Sequence, residues 1–299
     1  MSADLQIVLT AGLVATACGL LGPFLVLRRV ALLGDAVSHA VLPGIVATFL
    51  LFGTRAPLPV IGGAAVFAVL CVLAIEALRS TGLVKADAAI GLVFPALFSL
   101  GVLGVTRWTA NLHLDLDATI YGEIAFVPLQ QWSVAGLVVP RSIVIVGSVA
   151  AVNLVVVTAL WKELKATSFD PEFSRTIGIP PAWLSRALLV AVAVTAVTAF
   201  ESVGAILVVT LLIVPAAAAY LLTDRLWAMV AITVAIGWVS AAAGYAGALR
   251  ADASIAGAMG LVAAACFALA LLLSPAHGIL VRRLRIARRR GLGAGRASG

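Results

Sequence analysis

The chain has 299 residues, of which 63% are hydrophobic and 11% charged, and its formal net charge at pH 7 is +7. The mean hydropathy of +1.17 leaves too little polar surface for a soluble globular protein. Several apolar runs of about 20 residues are long enough to cross a bilayer. The basic excess is therefore better explained by membrane topology than by nucleic-acid binding.

The apolar runs predict an all-α, polytopic membrane helix bundle with eight or nine transmembrane helices. In chain order the predicted spans are 6–26, 36–53, 58–78, 88–106, 142–160, 184–200, 203–222, 227–248 and 255–274. The count depends on the segment Glu201–Gly204, which is too short for an ordinary loop. This segment is either a tight hairpin between two spans or a break within one helix.

The distribution of basic residues predicts the topology. Sixteen of the 20 Lys and Arg residues lie in alternate loops, at 27–35, 79–87, 161–186, 223–226 and 275–299. Because Lys and Arg collect on the cytoplasmic side, we expect the N-terminus outside and the C-terminus in the cytoplasm. We divide the chain into a transmembrane permease domain, 1–281, and a basic cytoplasmic tail, 282–299, that faces anionic lipid rather than RNA.

One ionisable pair opens the second predicted helix, in the sequence Gly34-Asp-Ala-Val-Ser-His39. Four residues separate Asp35 from His39, so on a helix both side chains lie on one face. A carboxylate near the membrane core is costly unless it faces a cavity, a partner or a pathway, and carboxylate and imidazole suit a divalent transition metal. The pair is thus a candidate metal site. The alternative is that Asp35 caps the helix and His39 is an interfacial, hydrogen-bonded residue.

The long cytoplasmic loop 161–183 contains a predicted short helix at about 168–178. Ser168 or Asp170 can cap it, with Pro171 in its first turn and Glu172 nearby, and Gly178 can end it. The apolar residues Phe169, Phe173 and Ile177 then lie on one face. This amphipathic pattern predicts docking into another protein.

On the opposite side, the loop 107–141 carries His113, Asp115, Asp117 and Glu123. These residues either attract ions or contact a partner, or they are solvated turn residues. Glu201, at the outer end of a predicted helix, is a candidate gate residue, and simple exposure at the interface is the alternative.

Nucleotide-binding and catalytic motifs are missing from the sequence. Nothing matches GxxxxGK[ST], and neither a nucleophile elbow nor an HExxH helix occurs. We therefore expect no enzyme activity and no tightly bound cofactor, and any use of ATP must belong to a separate subunit.

Several motifs together resemble the permease subunits of the manganese/zinc/iron class of ABC importers. The resemblance covers about residues 5–280, and it rests on RRVALLGDAVSHAVLPG at 28–44, HLDLD at 113–117 with YGE at 121–123, FDPEF at 169–173, ESVG at 201–204 and LLIVPAA at 211–217. The first and the FDPEF motifs are specific, whereas VPAA alone would be weak.

The resemblance implies a multi-pass protein of the bacterial inner (plasma) membrane that pairs with a second copy or a close relative. It implies two cytoplasmic ABC ATPase subunits and an extracellular or periplasmic metal-binding protein. The residues at 169–173 would form the ATPase-coupling helix, and Asp35 and His39 would bind the transported Mn²⁺, Zn²⁺ or Fe²⁺, with Mn²⁺ the first choice.

Two other functions remain open at this stage. A permease for a metal chelate, such as a siderophore or corrinoid, would need a wide polar channel in which an acid–His pair has no obvious role. A proton-coupled secondary metal transporter would leave the helix at 168–178 without a purpose, and the inverted repeats expected of it are not evident.

Overall fold

The computed structural model describes residues 2–53, 57–108, 124–129, 131–134, 137–274 and 278. Within these residues, nine helices are long and apolar enough to span a membrane, which confirms the larger predicted number. They are α1 Ala3–Leu27, α2 Leu33–Phe52, α3 Pro57–Ser80, α4 Ala86–Trp108, α5 Arg141–Ala159, α8 Pro181–Val203, α9 Ala205–Leu222, α10 Leu226–Ala251 and α11 Ile255–Leu273. The orientation of the termini stays a prediction.

Helix α1 is the most buried of these spans and packs against α5, α9 and α10. Its polar contacts are made through side chains that reach across helices. Trp238 Nε1 donates to Thr16 Oγ1 at 3.0 Å, and Asn153 Nδ2 donates to the carbonyl of Ala17 at 3.2 Å and to Thr195 Oγ1 at 2.8 Å. Buried polar groups in an apolar medium need such partners, so these bonds fix how α5, α8 and α10 sit around α1.

Helix α2 packs between α3 and α4. It approaches α3 so closely at Gly44 that a Cβ there would lie 2.5 Å from the carbonyl oxygen of Gly63. Small residues at such a crossing allow backbones to meet, which is common between membrane helices. This contact fixes the helix that carries Asp35 and His39.

A single residue separates α8 from α9. Gly204 has φ 82° and ψ 159°, and its N–H donates to the carbonyl of Phe200 while its own carbonyl accepts from Val208 N. That backbone conformation is essentially restricted to glycine. The short segment Glu201–Gly204 is thus a one-residue break between two consecutive spans.

The all-α expectation holds for the bundle but misses a small hairpin after α4. A 3-10 helix, Ile124–Leu129, precedes antiparallel strands β1 Gln131–Val134 and β2 Leu137–Pro140, which pair Trp132 with Val139. Four-residue strands are too short to produce an alternating pattern, so the sequence indicated only a loop.

The segment between α5 and α8 forms two helices rather than the one predicted at 168–178. Helix α6 covers Trp161–Phe169, and α7 covers only Pro171–Thr176. Phe169 therefore ends α6 instead of lying within the predicted helix, because Asp170 is in an extended conformation and starts a new helix at Pro171. The basic tail, 282–299, lies outside the described residues.

Candidate functional site

Asp35 and His39 lie on one face of α2, as their spacing predicted. His39 Nε2 is 3.9 Å from Asp35 Oδ1, and the side chains are 44% and 53% exposed, respectively. Two charged or ligating groups thus point out of the helix side by side, where a cation between them could contact an oxygen and a nitrogen.

The alternative role of Asp35 as the helix cap is wrong. Helix α2 begins at Leu33, with Leu32 at the cap position and no side-chain cap hydrogen bond. Asp35 is therefore the acidic residue of the first turn. Its carboxylate interacts favourably with the positive end of the helix dipole, but it does not satisfy a free backbone N–H.

Two phenylalanines of α4 hold the His39 ring. The imidazole stacks on Phe94 at a centroid distance of 5.4 Å and meets the edge of Phe98 at 5.5 Å. This bracket limits rotation of the ring and orients its nitrogens. The sequence analysis missed both residues, although their i, i+4 spacing places them on one face of α4.

The pair opens into a groove of about 560 Å³ between α2, α4 and the start of α9. The rest of its lining is largely apolar: Ser38, Val41, Leu42, Ile45, Phe98, Val102, Val105, Ala205, Ile206, Val209 and Thr210. An apolar wall lowers the local dielectric constant. The attraction between the Asp35 carboxylate and a cation in the groove is therefore stronger than it would be in water.

The described residues of one chain offer few metal ligands. Within the described residues there is no cluster of three or more His, Cys, Asp and Glu that could hold a metal ion. Asp35 and His39 are one carboxylate and one imidazole, and both are partly exposed.

The three apolar residues predicted on one face of the coupling helix are exposed, although Phe169 ends α6, Phe173 lies in α7 and Ile177 follows α7. Phe169, Phe173 and Ile177 are 56%, 55% and 52% exposed, whereas Ser174 is fully buried against the bundle. Large apolar side chains that are exposed close together in the chain are typical of a surface that contacts another protein.

Asp170, one of the two predicted caps, precedes α7, and Gly178 follows the end of the helix as predicted. Asp170 Oδ1 accepts a hydrogen bond from Phe173 N at 2.9 Å, and Pro171 occupies the first helical turn. Beyond the helix, Gly178 takes φ 80° and Ile179 N donates to the carbonyl of Ser174 at 2.9 Å. Glu172 is exposed in the first turn.

Glu201 makes an ion pair that the sequence analysis did not anticipate. Its Oε1 lies 3.0 Å from Nη2 of Arg141, the first residue of α5. Arg141 is only 8% exposed. The Arg141 guanidinium also lies 5.4 Å from the ring centre of Trp132 in β1, a cation–π contact. The pair thus joins the end of α8, the start of α5 and the hairpin, next to Gly204.

The remaining candidate residues, His113, Asp115, Asp117 and Glu123, lie outside the described residues. Their predicted part in attracting ions or contacting a partner stays a prediction.

Comparisons with known proteins agree with the architecture. The chain is 42% identical over 286 residues to the manganese transport system membrane protein MntD of Bacillus subtilis (strain 168), which covers 95% of this chain and 97% of that protein. It is 44% identical over 280 residues to the zinc transport system membrane protein TroD of Treponema pallidum (strain Nichols), with 94% and 76% covered.

A solved structure has the same fold. The structure described as PsaBC from Streptococcus pneumoniae in complex with Fab superposes with a TM-score of 0.77 at 29% identity and covers 96% of both chains. Residues 4–274 match the ABC 3 transport family over nearly the whole described length. The chain is therefore a multi-pass bacterial membrane protein that belongs to the ABC 3 transport family.

Proposed function

We propose that this chain is the permease subunit of an ATP-driven importer of divalent transition-metal ions. The observation that carries the proposal is the Asp35–His39 pair, 3.9 Å apart and half exposed in an apolar groove within a membrane span. Asp35 lies in the first turn of α2, and an ionised carboxylate near a membrane core is costly unless it faces a cavity, a partner or a pathway. Because this carboxylate points out of the helix into the groove, it needs a partner of opposite charge. A transported dication supplies that charge.

The transported ion is held between two permease subunits. Two copies related by a two-fold axis bring together two carboxylates and two imidazoles, which suit zinc or manganese. Two ligands from each subunit also separate when the subunits move, so the ion can be released. A closed cage of four ligands from one chain would bind too tightly for transport.

The choice of metal is Mn²⁺ first, with Zn²⁺ and Fe²⁺ as the other candidates. The ligand types accept all three ions. Manganese is favoured because it is the metal most often named among the relatives.

Separate ATPase subunits bind and hydrolyse ATP, and they dock on the apolar surface formed by Phe169, Phe173 and Ile177. The face is about half exposed, and it is flanked by Asp170 and Glu172. Docking would bury three large apolar side chains, each worth about 1.5–3 kcal/mol when fully removed from water. On the other side of the membrane, an extracellular or periplasmic metal-binding protein delivers the ion.

Glu201 acts at the outer gate of the pathway. It is paired with Arg141 three residues before Gly204, and the residues directly after Gly204, Ala205 and Ile206, line the metal groove. A movement that opens the ion pair would shift the start of α9 and so change access to Asp35 and His39.

The function is tested in proteoliposomes that contain the permease with or without its ATPase, in the presence of the metal-binding protein. Mn²⁺, Zn²⁺ and Fe²⁺ are supplied in turn and measured by ICP-MS. The proposal predicts uptake only with ATPase and ATP. Uptake driven by a pH gradient without ATPase would identify a secondary transporter instead. Uptake of a metal chelate but no free ion would identify a chelate permease.

A further inference from the structure

The connection between α1 and α2 is short and conformationally fixed. Helix α1 ends at Leu27, and only residues 28–32 precede α2, the helix of the metal pair. Arg29 takes the left-handed conformation with φ 57°, its N–H donates to the carbonyl of Val26, and Val30 N donates to the carbonyl of Leu25. This is a Schellman-type helix end, which leaves little freedom between the two helices.

Arg28, the first residue of this connection, is bonded to the cytoplasmic helix α6. Its Nη2 donates to Thr167 Oγ1 at 2.8 Å, and its Nε donates to Ser168 Oγ at 3.3 Å. Thr167 Oγ1 itself donates to the carbonyl of Glu163 at 2.9 Å, so its oxygen is oriented to accept from the guanidinium. The two acceptors are in the last turn of α6, directly before Asp170 caps α7.

The environment of Arg28 is unusual for a cation at a helix end. Burial, and to a lesser degree the neighbouring Arg79, lowers the pKa of Arg28 from its ordinary value to about 10, while Glu76 opposes the shift. Glu76, 5% exposed, is already paired with Arg79 at 3.0 Å. Within the part of the chain that the structure describes, two neutral hydroxyls rather than a carboxylate of its own thus hold the partly desolvated Arg28.

We infer that Arg28 is a positioning residue that transmits movement of the ATPase-docking helices α6 and α7 to the metal-bearing helix α2, an inference that rests on the proposed function. The planar guanidinium contacts both hydroxyls in one geometry, so a displacement of α6 moves the α1–α2 connection with it. Asp35 is seven positions after Arg28, and Asp170 is two positions after Ser168. The hydrogen bonds therefore join the immediate surroundings of the two functional elements.

The test is the number of metal ions imported for each ATP hydrolysed by the reconstituted complex of permease, ATPase and binding protein. For Arg28→Gln we expect this ratio to fall about tenfold, within the range typical of coupling between sites. Thermal stability and co-purification of the ATPase should change little. A purely structural role predicts a different result, in which assembly or stability falls and the ratio of metal to ATP in the remaining complexes is normal.

Three further variants sharpen the test. Arg29→Gln removes the same charge from the adjacent exposed residue, for which the described structure has no side-chain hydrogen bond, and it should transport normally. Arg28→Lys keeps the charge but loses the fork, so an intermediate ratio is expected. The double variant Thr167→Val/Ser168→Ala removes both acceptors, and adding Arg28→Gln to it should cause no further loss.

The outcomes separate the inference from the proposed function. If the wild-type complex imports no metal with ATP, the proposed function is wrong. If the wild type does import metal and Arg28→Gln keeps its ratio of metal to ATP, the inference is wrong. Should Arg28→Gln fail to assemble, the Thr167→Val/Ser168→Ala variant decides, and an unchanged ratio there overturns the inference.

Discussion

The one-residue joint at Gly204 is the position where the smallest substitution should have a large effect. Replacing Gly204 by Ala adds a single methyl group between α8 and α9. The native backbone at this residue has φ 82° and ψ 159°, a region that residues with a Cβ scarcely populate. The substitution therefore forces either a strained backbone or a change in the angle at which the two helices meet.

The expected cost follows from this conformation. A non-glycine residue held in such a region costs on the order of 1–3 kcal/mol, and both flanking hydrogen bonds, to Phe200 and from Val208, hold the joint in place. Gly62→Ala is the matched control, because a Cβ at this position in α3 meets nothing within 4 Å. Alanine is also the better helix former there.

Thermal unfolding of the detergent-purified permease, followed by size-exclusion chromatography with fluorescence detection, measures this difference. A loss of 1–3 kcal/mol should lower Tm by several degrees, taking about 2–4 °C for each kcal/mol in a chain of this order of size. Gly62→Ala should be unchanged or slightly more stable. If Gly204→Ala has the same Tm and the same metal uptake as Gly62→Ala, the reasoning about the joint is wrong.

Two further substitutions test the coupling face and the outer ion pair. Phe173→Asp places an unpaired charge on the proposed docking surface, where Phe173 is 55% exposed, so it should abolish co-purification of the ATPase without unfolding the permease. Phe173→Leu should retain binding. A Phe173→Asp complex that binds the ATPase and is active would contradict the docking surface. Glu201→Gln leaves Arg141 buried and unpaired, at a cost of about 2–3 kcal/mol after allowing for the partial exposure of Glu201. Replacing both, as Glu201→Gln with Arg141→Met, should restore Tm but not metal uptake, and recovery of both would reduce the pair to a structural contact.

The sequence predicted the parts of this structure that depend on local pattern. The apolar segments predicted eight or nine spans, and the described residues form nine. Phe169, Phe173 and Ile177 are all exposed, as their pattern predicted, although they do not lie in a single helix. The cap at Asp170 was predicted for the same reason, since capping depends on a few adjacent residues. The start of α2 was misjudged by three residues, and that error alone kept the capping alternative for Asp35 open.

The remaining features depend on contacts between residues far apart in the chain. The ring of His39 is bracketed by Phe94 and Phe98, Glu201 pairs with Arg141, and Arg28 reaches Thr167 across 139 positions. Hydrophobic periodicity gives the face of a helix but not the helix that it meets. The neighbouring helix is harder still to predict in a membrane protein, because apolar residues face both the lipid and the adjacent helices.

The central claim is that Asp35 and His39 bind the transported metal ion. Asp35→Asn keeps the size of the side chain and removes the charge that attracts a dication, while His39→Ala removes the nitrogen ligand. The matched control is Asp87→Asn, since Asp87 is the exposed acidic residue in the first turn of α4, as Asp35 is in α2. All three variants should insert, assemble and bind the ATPase.

The deciding measurement is ATP-dependent metal uptake by Asp35→Asn at matched expression, read by ICP-MS with Mn²⁺ supplied first and Zn²⁺ and Fe²⁺ in parallel. The account predicts that Asp35→Asn loses uptake, as does His39→Ala, and that Asp87→Asn transports like the wild type. Near-wild-type uptake by Asp35→Asn would contradict the assignment of the pair as ligands of the transported ion.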